Sequence, residues 1–268
     1  MTSPIRTERL DNVLVVISDN PPVNALGQAV RAGLKDAIEE ALADDGVEAV
    51  VIRCDGQTFF AGADITEFGK PPVGPNLPET LDAMEASDKP VVAAIHGTAL
   101  GGGCEVALAC HYRVAVPSAK LGLPEVKLGL IPGAAGTQRL PRVVGAEAAL
   151  PMVVVGNPIS AKKAEGIGLV DKIVGEDSLA DDAIAIARAQ IGHPVPRPSE
   201  GTANEDGVKN PAIFDEFRQK MARKIRGFDA PEAAIQAVKA AGEMSYEDGV
   251  AKERELFAGL MSGTQSAA

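Results

Sequence analysis

A run of three glycines followed closely by a glutamate is the first group of residues that could do chemistry. Gly101, Gly102 and Gly103 follow the apolar, β-branched run Val91–Ile95, and Glu105 lies in the first turn of a helical pattern. Because glycine has no side chain, a ligand atom can approach its backbone closely. The free N–H groups at the start of a helix can stabilise a carbonyl oxygen that becomes negative during a reaction. This glycine hinge, residues 101–103, therefore indicates one of two arrangements. It is either an oxyanion site, or a helix packed so closely against a strand that only glycine fits between them.

Two further stretches contain candidate residues. Residues 60–65 follow a strand end, and their small side chains leave backbone N–H groups accessible; the alternative is a simple turn in which Asp64 caps the next helix. Residues 123–133 place Glu125 inside an apolar run, which is unusual because burying a carboxylate is costly without partners. The alternative there is an edge strand with Glu125 facing water.

Composition and charge exclude several classes of protein. The 268 residues are 46% apolar and 3% aromatic, which is enough for a sizeable core of Val, Ile, Leu and Ala. The net charge of −11 argues against a general nucleic-acid binder, although it allows a local site for a small anion. The three cysteines have no metal-ligand spacing, which predicts reduced thiols and no metal. Without a membrane-spanning run or a secretion or peroxisomal signal, a cytoplasmic location is expected.

Hydrophobic periodicity predicts an α/β protein with a helical C-terminal region. Strands are predicted at 13–17, 49–52, 91–95 and 113–116, and helices at 28–42, 81–87, 212–226, 231–241 and 246–261. The opening order of strand, helix and strand is βαβ-like. A proline-rich linker near 193–207 precedes the last three helices. The change in composition predicts two parts, a core of residues 1–195 and a helical region of residues 196–268.

The three candidate stretches together resemble the enoyl-CoA hydratase/isomerase family, the crotonases. FAGADI at 60–65, ALGGGCE at 99–105 and PEVKLGLIPGAAGTQRLPR at 124–142 match that family's two oxyanion segments and the segment with its second glutamate. The resemblance is greatest to the hydratase/isomerase part of multifunctional β-oxidation enzymes. It implies a crotonase-like spiral of ββα units followed by a C-terminal helical region. Since no GxGxxG follows a strand, the chain is expected to be a stand-alone relative or a fragment of a longer protein.

The resemblance also implies roles for individual residues. Backbone N–H groups of Ala63 and Gly102 would bind the thioester oxygen of an acyl-CoA as an oxyanion hole. Glu105 and Glu125 would be the catalytic pair, flanking the α and β carbons with a water between them. Near a helix N-terminus, Glu105 is expected to be ionised and to activate the water. Among apolar side chains, Glu125 is expected to be neutral and to supply a proton to the α carbon.

Other positions are implied to contact the substrate. Ala61, Asp64 and Ile65 would lie along the CoA moiety, and the backbone of Gly133 would lie close to the water. The family often has glycine where this chain has Ala135. Four cations could either meet CoA phosphates or be ordinary surface charges: Lys120, Lys127, Arg139 and Arg142.

The activity implied by the resemblance is that of an enoyl-CoA hydratase. This lyase reversibly adds water to trans-2-enoyl-CoA, giving 3-hydroxyacyl-CoA in fatty-acid β-oxidation, and Δ3,Δ2-enoyl-CoA isomerisation could share the site. The alternatives are another acyl-CoA enzyme of the family, an isomerase or thioester hydrolase, or a non-catalytic crotonase-fold binding module. The expected partner is an acyl-CoA substrate, with no cofactor, nucleic acid or membrane. A homotrimer, a hexamer or membership of a β-oxidation complex is the expected assembly.

Overall fold

A six-stranded sheet runs through the centre of the computed structural model, which describes residues 3–67, 69–71, 73–203, 205 and 209–266. The strands are β1 (Ile5–Leu10), β2 (Val13–Ser18), β3 (Ala49–Cys54), β4 (Val91–Ile95), β5 (Thr98–Leu100), β6 (Tyr112–Ala115), β7 (Lys120–Gly122), β8 (Ile159–Ser160) and β9 (Lys172–Ile173). The central sheet has the order β1-β2-β3-β4-β6-β9, and β5, β7 and β8 form a smaller sheet. Except for the antiparallel pair β1 and β2, the strands of the central sheet are parallel.

Helices cover the sheets and form the last part of the chain. Among the described residues they are α1 (Gln28–Ala43), α2 (Leu77–Glu85), α3 (Gly102–Ala109), α4 (Gly136–Val144), α5 (Ala146–Val154), α6 (Ala161–Gly166), α7 (Leu179–Ala189), α8 (Ala212–Ile225), α9 (Ala230–Glu243) and α10 (Tyr246–Met261). None of the helices within the described residues is long and apolar enough to cross a membrane.

The parallel pairing of β3 with β4 determines where two of the candidate stretches begin. Ile52 pairs with Ala93, so the carboxyl ends of the two strands lie at the same edge of the sheet. Residues 60–65 follow β3 and the glycine hinge follows β4, and both stretches therefore start from that edge. In the smaller sheet, β5 and β7 run parallel, and the Gly101 N–H donates to the Gly122 carbonyl at 2.9 Å. This contact joins the hinge to the segment that carries Glu125.

The first strand of the chain was missed by the sequence analysis, which began at residue 13. β1 pairs antiparallel with β2, and of its six residues only Ile5 is buried. Its other side chains are polar or exposed, so no apolar alternation marks it. An edge strand of this kind is held by backbone hydrogen bonds, which every sequence can make. The turn between β1 and β2 places Asp11 at φ 56°.

The predicted bounds of α2 were also wrong, because the helix begins at Leu77 rather than near residue 81. Asn76 and Glu79 form a reciprocal capping box, with the Glu79 N–H donating to Asn76 Oδ1 at 2.9 Å and the Asn76 N–H donating to Glu79 Oε2 at 3.1 Å. Pro78 lies in the first turn, where its missing N–H costs nothing. Pro78 is therefore part of the start of the helix.

The last three helices fold back onto the rest of the same chain. α9 packs against α4 and α5, while α10 packs against α9 and α4. Ala234, Ile235 and Val238 of α9 are completely buried and share one hydrophobic cluster with Leu140 of α4 and Leu150 of α5. The division at residue 195 stays a prediction, but α9 and α10 complete a core that begins before it.

Candidate active site

Ala63 and Gly102 lie side by side where the segment after β3 meets the start of α3. The Leu26 N–H donates to the Gly62 carbonyl at 2.9 Å, and Leu26 and Ala63 form an isolated parallel bridge. A Cβ built on Gly102 would lie 3.7 Å from the Ala63 nitrogen. The two peptide groups that the sequence pointed to are therefore neighbours, although 39 positions separate them in the chain.

The N–H groups of Ala63 and Gly102 are both available to a ligand. Within the described residues, neither group donates a hydrogen bond to a backbone acceptor. Gly102 is the first residue of α3, so its N–H has no intrahelical partner and lies at the positive end of the helix dipole. Two adjacent free donors can bind a single oxygen that carries negative charge.

The carboxyl group of Glu125 lies directly against this hinge. A Cβ built on Gly101 would lie 3.1 Å from Glu125 Oε1 and 3.9 Å from the Gly62 Cα. Gly101 has φ 54°, a conformation that favours glycine, so both its backbone angle and its neighbour require a missing side chain. Glu125 Oε2 is buried without a hydrogen-bond partner among the described residues. The predicted alternative of an edge strand is wrong, because Glu125 begins a short 3-10 turn that ends at Leu128.

Glu105 is held by the turn that begins α4. Its side chain is 3% exposed, and its Oε1 accepts hydrogen bonds from the N–H groups of Ala134 at 2.8 Å and Gly136 at 2.9 Å. A Cβ built on Gly136 would lie 2.8 Å from the same oxygen. Glycine at position 136 therefore leaves the space that this carboxylate occupies.

Burial decides the electrostatics of both carboxyl groups. It raises the pKa of Glu125 well above its ordinary value, and the charge of Glu105 raises it further. Burial also raises the pKa of Glu105, but the N–H groups of Ala134 and Gly136 and the charge of Arg139 oppose that rise. The prediction that the surroundings of Glu105 favour its ionised form is wrong in direction, because its donors come from the start of α4 and do not outweigh burial. The pKa of Glu125 is raised, as the prediction of its neutral form requires.

The residues predicted to contact CoA lie beside the free N–H groups. Ala61 is half-buried, and its N–H donates to the Val23 carbonyl at 3.2 Å. Asp64 Oδ1 accepts from the Thr66 N–H at 2.9 Å and so caps the short turn Ile65–Glu67. Ile65 begins this turn, but its side chain lies outside the described residues.

Gly133 precedes the turn that holds Glu105, and it contacts α10. A Cβ built on Gly133 would lie 3.1 Å from the ring of Phe257 in α10. Gly133 and Ala135 also line a cavity of about 440 Å³ between α2 and α10. Because both residues contact α10, this helix lines the cavity beside the turn that holds Glu105.

Two buried charged residues beside Glu105 were not found by sequence reasoning. Arg139, which was weighed as a CoA contact or a surface charge, is completely buried and donates to Glu85 Oε2, Asp82 Oδ1 and the Ala134 carbonyl, at 2.8, 2.8 and 3.0 Å. Glu253 of α10 is also completely buried. One signal could have located Glu253, because it lies at helical spacing between Gly249 and Leu260 on the inward face of α10.

Comparisons with known proteins agree with this geometry. The sequence profile described as enoyl-CoA hydratase/isomerase matches residues 8–195, and the chain therefore belongs to the enoyl-CoA hydratase/isomerase family. Its architecture is the crotonase-like α/β fold of that family. Within the described residues, no group of three or more His, Cys, Asp or Glu side chains could hold a metal ion.

Relatives and solved structures extend the similarity over nearly the whole chain. The peroxisomal bifunctional enzyme of Danio rerio is 45% identical over 260 residues, which are 96% of this chain and 36% of that protein. The human peroxisomal bifunctional enzyme is 41% identical over 97% of this chain and 36% of its own length. The chain thus spans little more than a third of these curated relatives. The crystal structure of carnitinyl-CoA hydratase from Mycobacterium avium has a TM-score of 0.72 and 31% identity, covering 100% of this chain and 94% of that one.

Proposed function

We propose that the chain is an enoyl-CoA hydratase that reversibly adds water to trans-2-enoyl-CoA to give 3-hydroxyacyl-CoA. One observation carries the proposal: the two neighbouring free N–H groups lie at a hinge that Glu125 contacts, Glu105 lies in the first helical turn after it, and the charge of Glu105 acts on Glu125. A binding module would need neither the pair of carboxyl groups nor their raised pKa values. A similar protein of Cucumis sativus, 39% identical over 266 residues, is named a glyoxysomal fatty acid beta-oxidation multifunctional protein, and this name supports a role in fatty-acid β-oxidation.

The N–H groups of Ala63 and Gly102 form the proposed oxyanion hole. When water adds to the β carbon of an enoyl thioester, negative charge develops on the thioester oxygen as an enolate. Two fixed donors stabilise that charge without reorganisation, and losing one such donor typically lowers the rate by ~100- to 1000-fold. Among the described residues neither group donates to a backbone acceptor, which supports this role.

The two carboxyl groups divide the acid and base steps. Glu105, whose rise in pKa is opposed by two N–H donors, takes a proton from the water as its oxygen bonds to the β carbon. Glu125, whose pKa is raised further, gives its proton to the α carbon of the enolate. After one turnover Glu105 holds the proton and Glu125 does not, so a proton must pass between them before the next. Dehydration follows the same steps in reverse.

The remaining proposed contacts place the rest of the substrate. Ala61, Asp64 and Ile65 would lie along the CoA moiety because they flank the oxyanion segment. The backbone of Gly133 would lie beside the catalytic water because the next residue, Ala134, donates to Glu105. A trimer, a hexamer or a β-oxidation complex, and the cytoplasmic location, stay predictions.

The direct test is the loss of enoyl-thioester absorbance when purified protein is mixed with crotonyl-CoA. Glu105→Gln and Glu125→Gln are each expected to lower kcat by ~100- to 10,000-fold, because each removes one proton-transfer group. Glu216→Gln is the matched control, since Glu216 is an exposed carboxylate of α8. Binding of a CoA ester, measured by calorimetry, should change little in all three variants. Wild-type turnover in either active-site variant would refute the proposal.

Isomerisation of a 3-enoyl-CoA is a second activity that this site supports. In its ionised form a single carboxyl group with an unbonded oxygen can take a proton from the α carbon and return it to the γ carbon, and Glu125 Oε2 has no partner within the described residues. A 3-enoyl ester should then be converted to the 2-enoyl ester by the wild type. Glu125→Gln should lose this activity together with hydration, whereas loss of hydration alone would assign isomerisation to another group.

A further inference from the structure

A third glutamate, from the last helix, lies at the turn that holds Glu105. Glu253 of α10 is completely buried in a single copy of the chain. Its Oε1 accepts from the Ala135 N–H at 2.8 Å, and its Oε2 accepts from the Thr137 N–H at 3.0 Å. The Thr137 hydroxyl donates to the same Oε2. A carboxyl group buried this completely needs such partners, and among the described residues its hydrogen-bond donors belong to the start of α4.

Glu105 and Glu253 divide four consecutive N–H groups between them. Residues 134 and 136 donate to Glu105, whereas residues 135 and 137 donate to Glu253. The turn is therefore clamped from two sides by carboxyl groups that are 148 positions apart in the chain. At its centre Ala135 has φ 66°, a conformation that a non-glycine residue keeps only where its surroundings hold it.

We infer that Glu253 is a positioning residue for hydration, because it fixes the turn 134–137 against which Glu105 is oriented. The inference rests on the proposed function of Glu105. If the bonds from Glu253 were lost, Ala135 and Thr137 could rotate, and the donors of Ala134 and Gly136 would move with them. A displacement of about 1 Å at a reacting group can lower a rate by ~100-fold. The last helix would thus belong to the active site although it touches no reacting atom.

The charges around Glu253 give this role a measurable pH signature. Burial and the charge of Glu105 raise the pKa of Glu253 to about 8, against the opposing donors of Thr137 and Ala135. The charge of Glu253 in turn raises the pKa of Glu125. The titratable groups that interact electrostatically with Glu253 are Glu105 from α3, Glu125 from the 3-10 turn and Tyr246 from α10 itself. Arg139 from α4 acts on Glu105.

Glu253→Gln separates this role from a purely structural one. Its amide would present a donor to the N–H groups of the turn, so kcat should fall by on the order of 10- to 100-fold while KM changes little. Without the negative charge the pKa of Glu125 falls, so the alkaline limb of the kcat profile should move to lower pH. Glu253→Asp keeps the charge on a shorter side chain. It should return the alkaline limb to its wild-type pH but should not restore kcat. Glu255→Gln, an exposed carboxylate of the same helix, is the control and should match the wild type.

Two further measurements keep the inference open to refutation. If Glu253→Gln does not fold, Thr137→Val removes a side-chain donor to Glu253 and one of the two acceptors of Gln138 Nε2, which keeps its bond to the Ala237 carbonyl. It should lower kcat by about 10-fold with KM retained. A crystal structure of either variant should show longer bonds from Ala134 and Gly136 to Glu105. Unchanged bonds, or wild-type kcat and pH profile in a folded variant, would overturn the positioning role. An inactive wild type would instead refute the proposed function, and the crystal structure would still decide what Glu253 holds.

Discussion

Adding one methyl group at Gly103 should separate the two segments that supply the free N–H groups. Gly103 is the second residue of α3, and its backbone packs on the segment after β3. A Cβ built there would lie 1.8 Å from the Phe60 carbonyl oxygen and 2.6 Å from the Phe60 carbonyl carbon. Both atoms belong to backbone, so no side chain can rotate away to accommodate the methyl group.

The size of the effect follows from this overlap. Ordinary contact begins near 3.4 Å, so α3 and residue 60 must move apart by about 1.6 Å. Overpacking of a core typically costs ~1–3 kcal/mol, and the ~1 kcal/mol that alanine gains over glycine in a helix offsets only part of it. Because both clashing atoms are backbone, the upper end of the cost applies, and the resulting net loss of about 2 kcal/mol lowers Tm by roughly 4–8 °C in a domain of this size. Because Ala63 and Gly102 lie on either side of the overlap, kcat should fall by at least ~100-fold.

Thermal unfolding followed by circular dichroism and crotonyl-CoA turnover test Gly103→Ala together. The matched control is Gly259→Ala in α10, where a built Cβ has no heavy atom within 4 Å. That variant should gain about 1 kcal/mol from helix propensity and retain wild-type turnover. A Gly103→Ala protein as stable and active as the wild type would show that the close approach is not needed for either property.

Three other predictions concern the buried groups around Glu105. Arg139→Met leaves Glu85 buried without its guanidinium partner, so urea unfolding should show a loss of ~3–5 kcal/mol; a loss below 1 kcal/mol would contradict it. Since the pKa of Glu253 is about 8 when folded and near 4.5 when unfolded, the folded state keeps a proton that the unfolded state releases. Stability should therefore fall as pH rises from 5 to 8. Tm is measured across this range for the wild type and Glu253→Gln, and an equally steep fall in the variant would refute the prediction. Gly136→Ala puts a methyl group 2.8 Å from Glu105 Oε1 and should lower kcat by ~100-fold with CoA-ester binding intact, whereas wild-type kcat would contradict it.

Much of the fold could be predicted because local patterns determine it. β2, β3 and β4 are continuous apolar runs, as expected of parallel strands covered on both faces. Residues 60–65 and the glycine hinge follow β3 and β4, whose parallel pairing places them at one sheet edge, whereas Glu125 follows β7 of the smaller sheet. β1 and the start of α2 were missed because backbone pairing and a capping box leave little trace in hydrophobicity.

Ala135 shows what the sequence could indicate but not explain. The resemblance led us to expect glycine at this position, and the backbone of Ala135 suits glycine because the residue has φ 66°. A non-glycine residue pays roughly 1–2 kcal/mol in that region. Three bonds hold it there: its N–H donates to Glu253, and its carbonyl accepts from the N–H groups of Gln138 and Arg139. Glu253 comes from a helix 118 positions away, so no local pattern could have identified it as the partner of residue 135.

The hydrogen-bond partners of the buried carboxyl groups explain how a protonated carboxyl group is retained at this site near neutral pH. Full positive charges beside Glu105, Glu125 and Glu253 would lower their pKa values and leave no proton donor near neutral pH. The structure instead uses backbone N–H groups for Glu105 and Glu253, and it keeps the guanidinium of Arg139 bonded to Glu85 and Asp82. Peptide N–H groups hold the carboxyl groups in position, and they lower the pKa values of these groups less than a cation would. Burial therefore remains the largest influence on all three, and the least bonded of them, Glu125, is the one proposed to donate the proton.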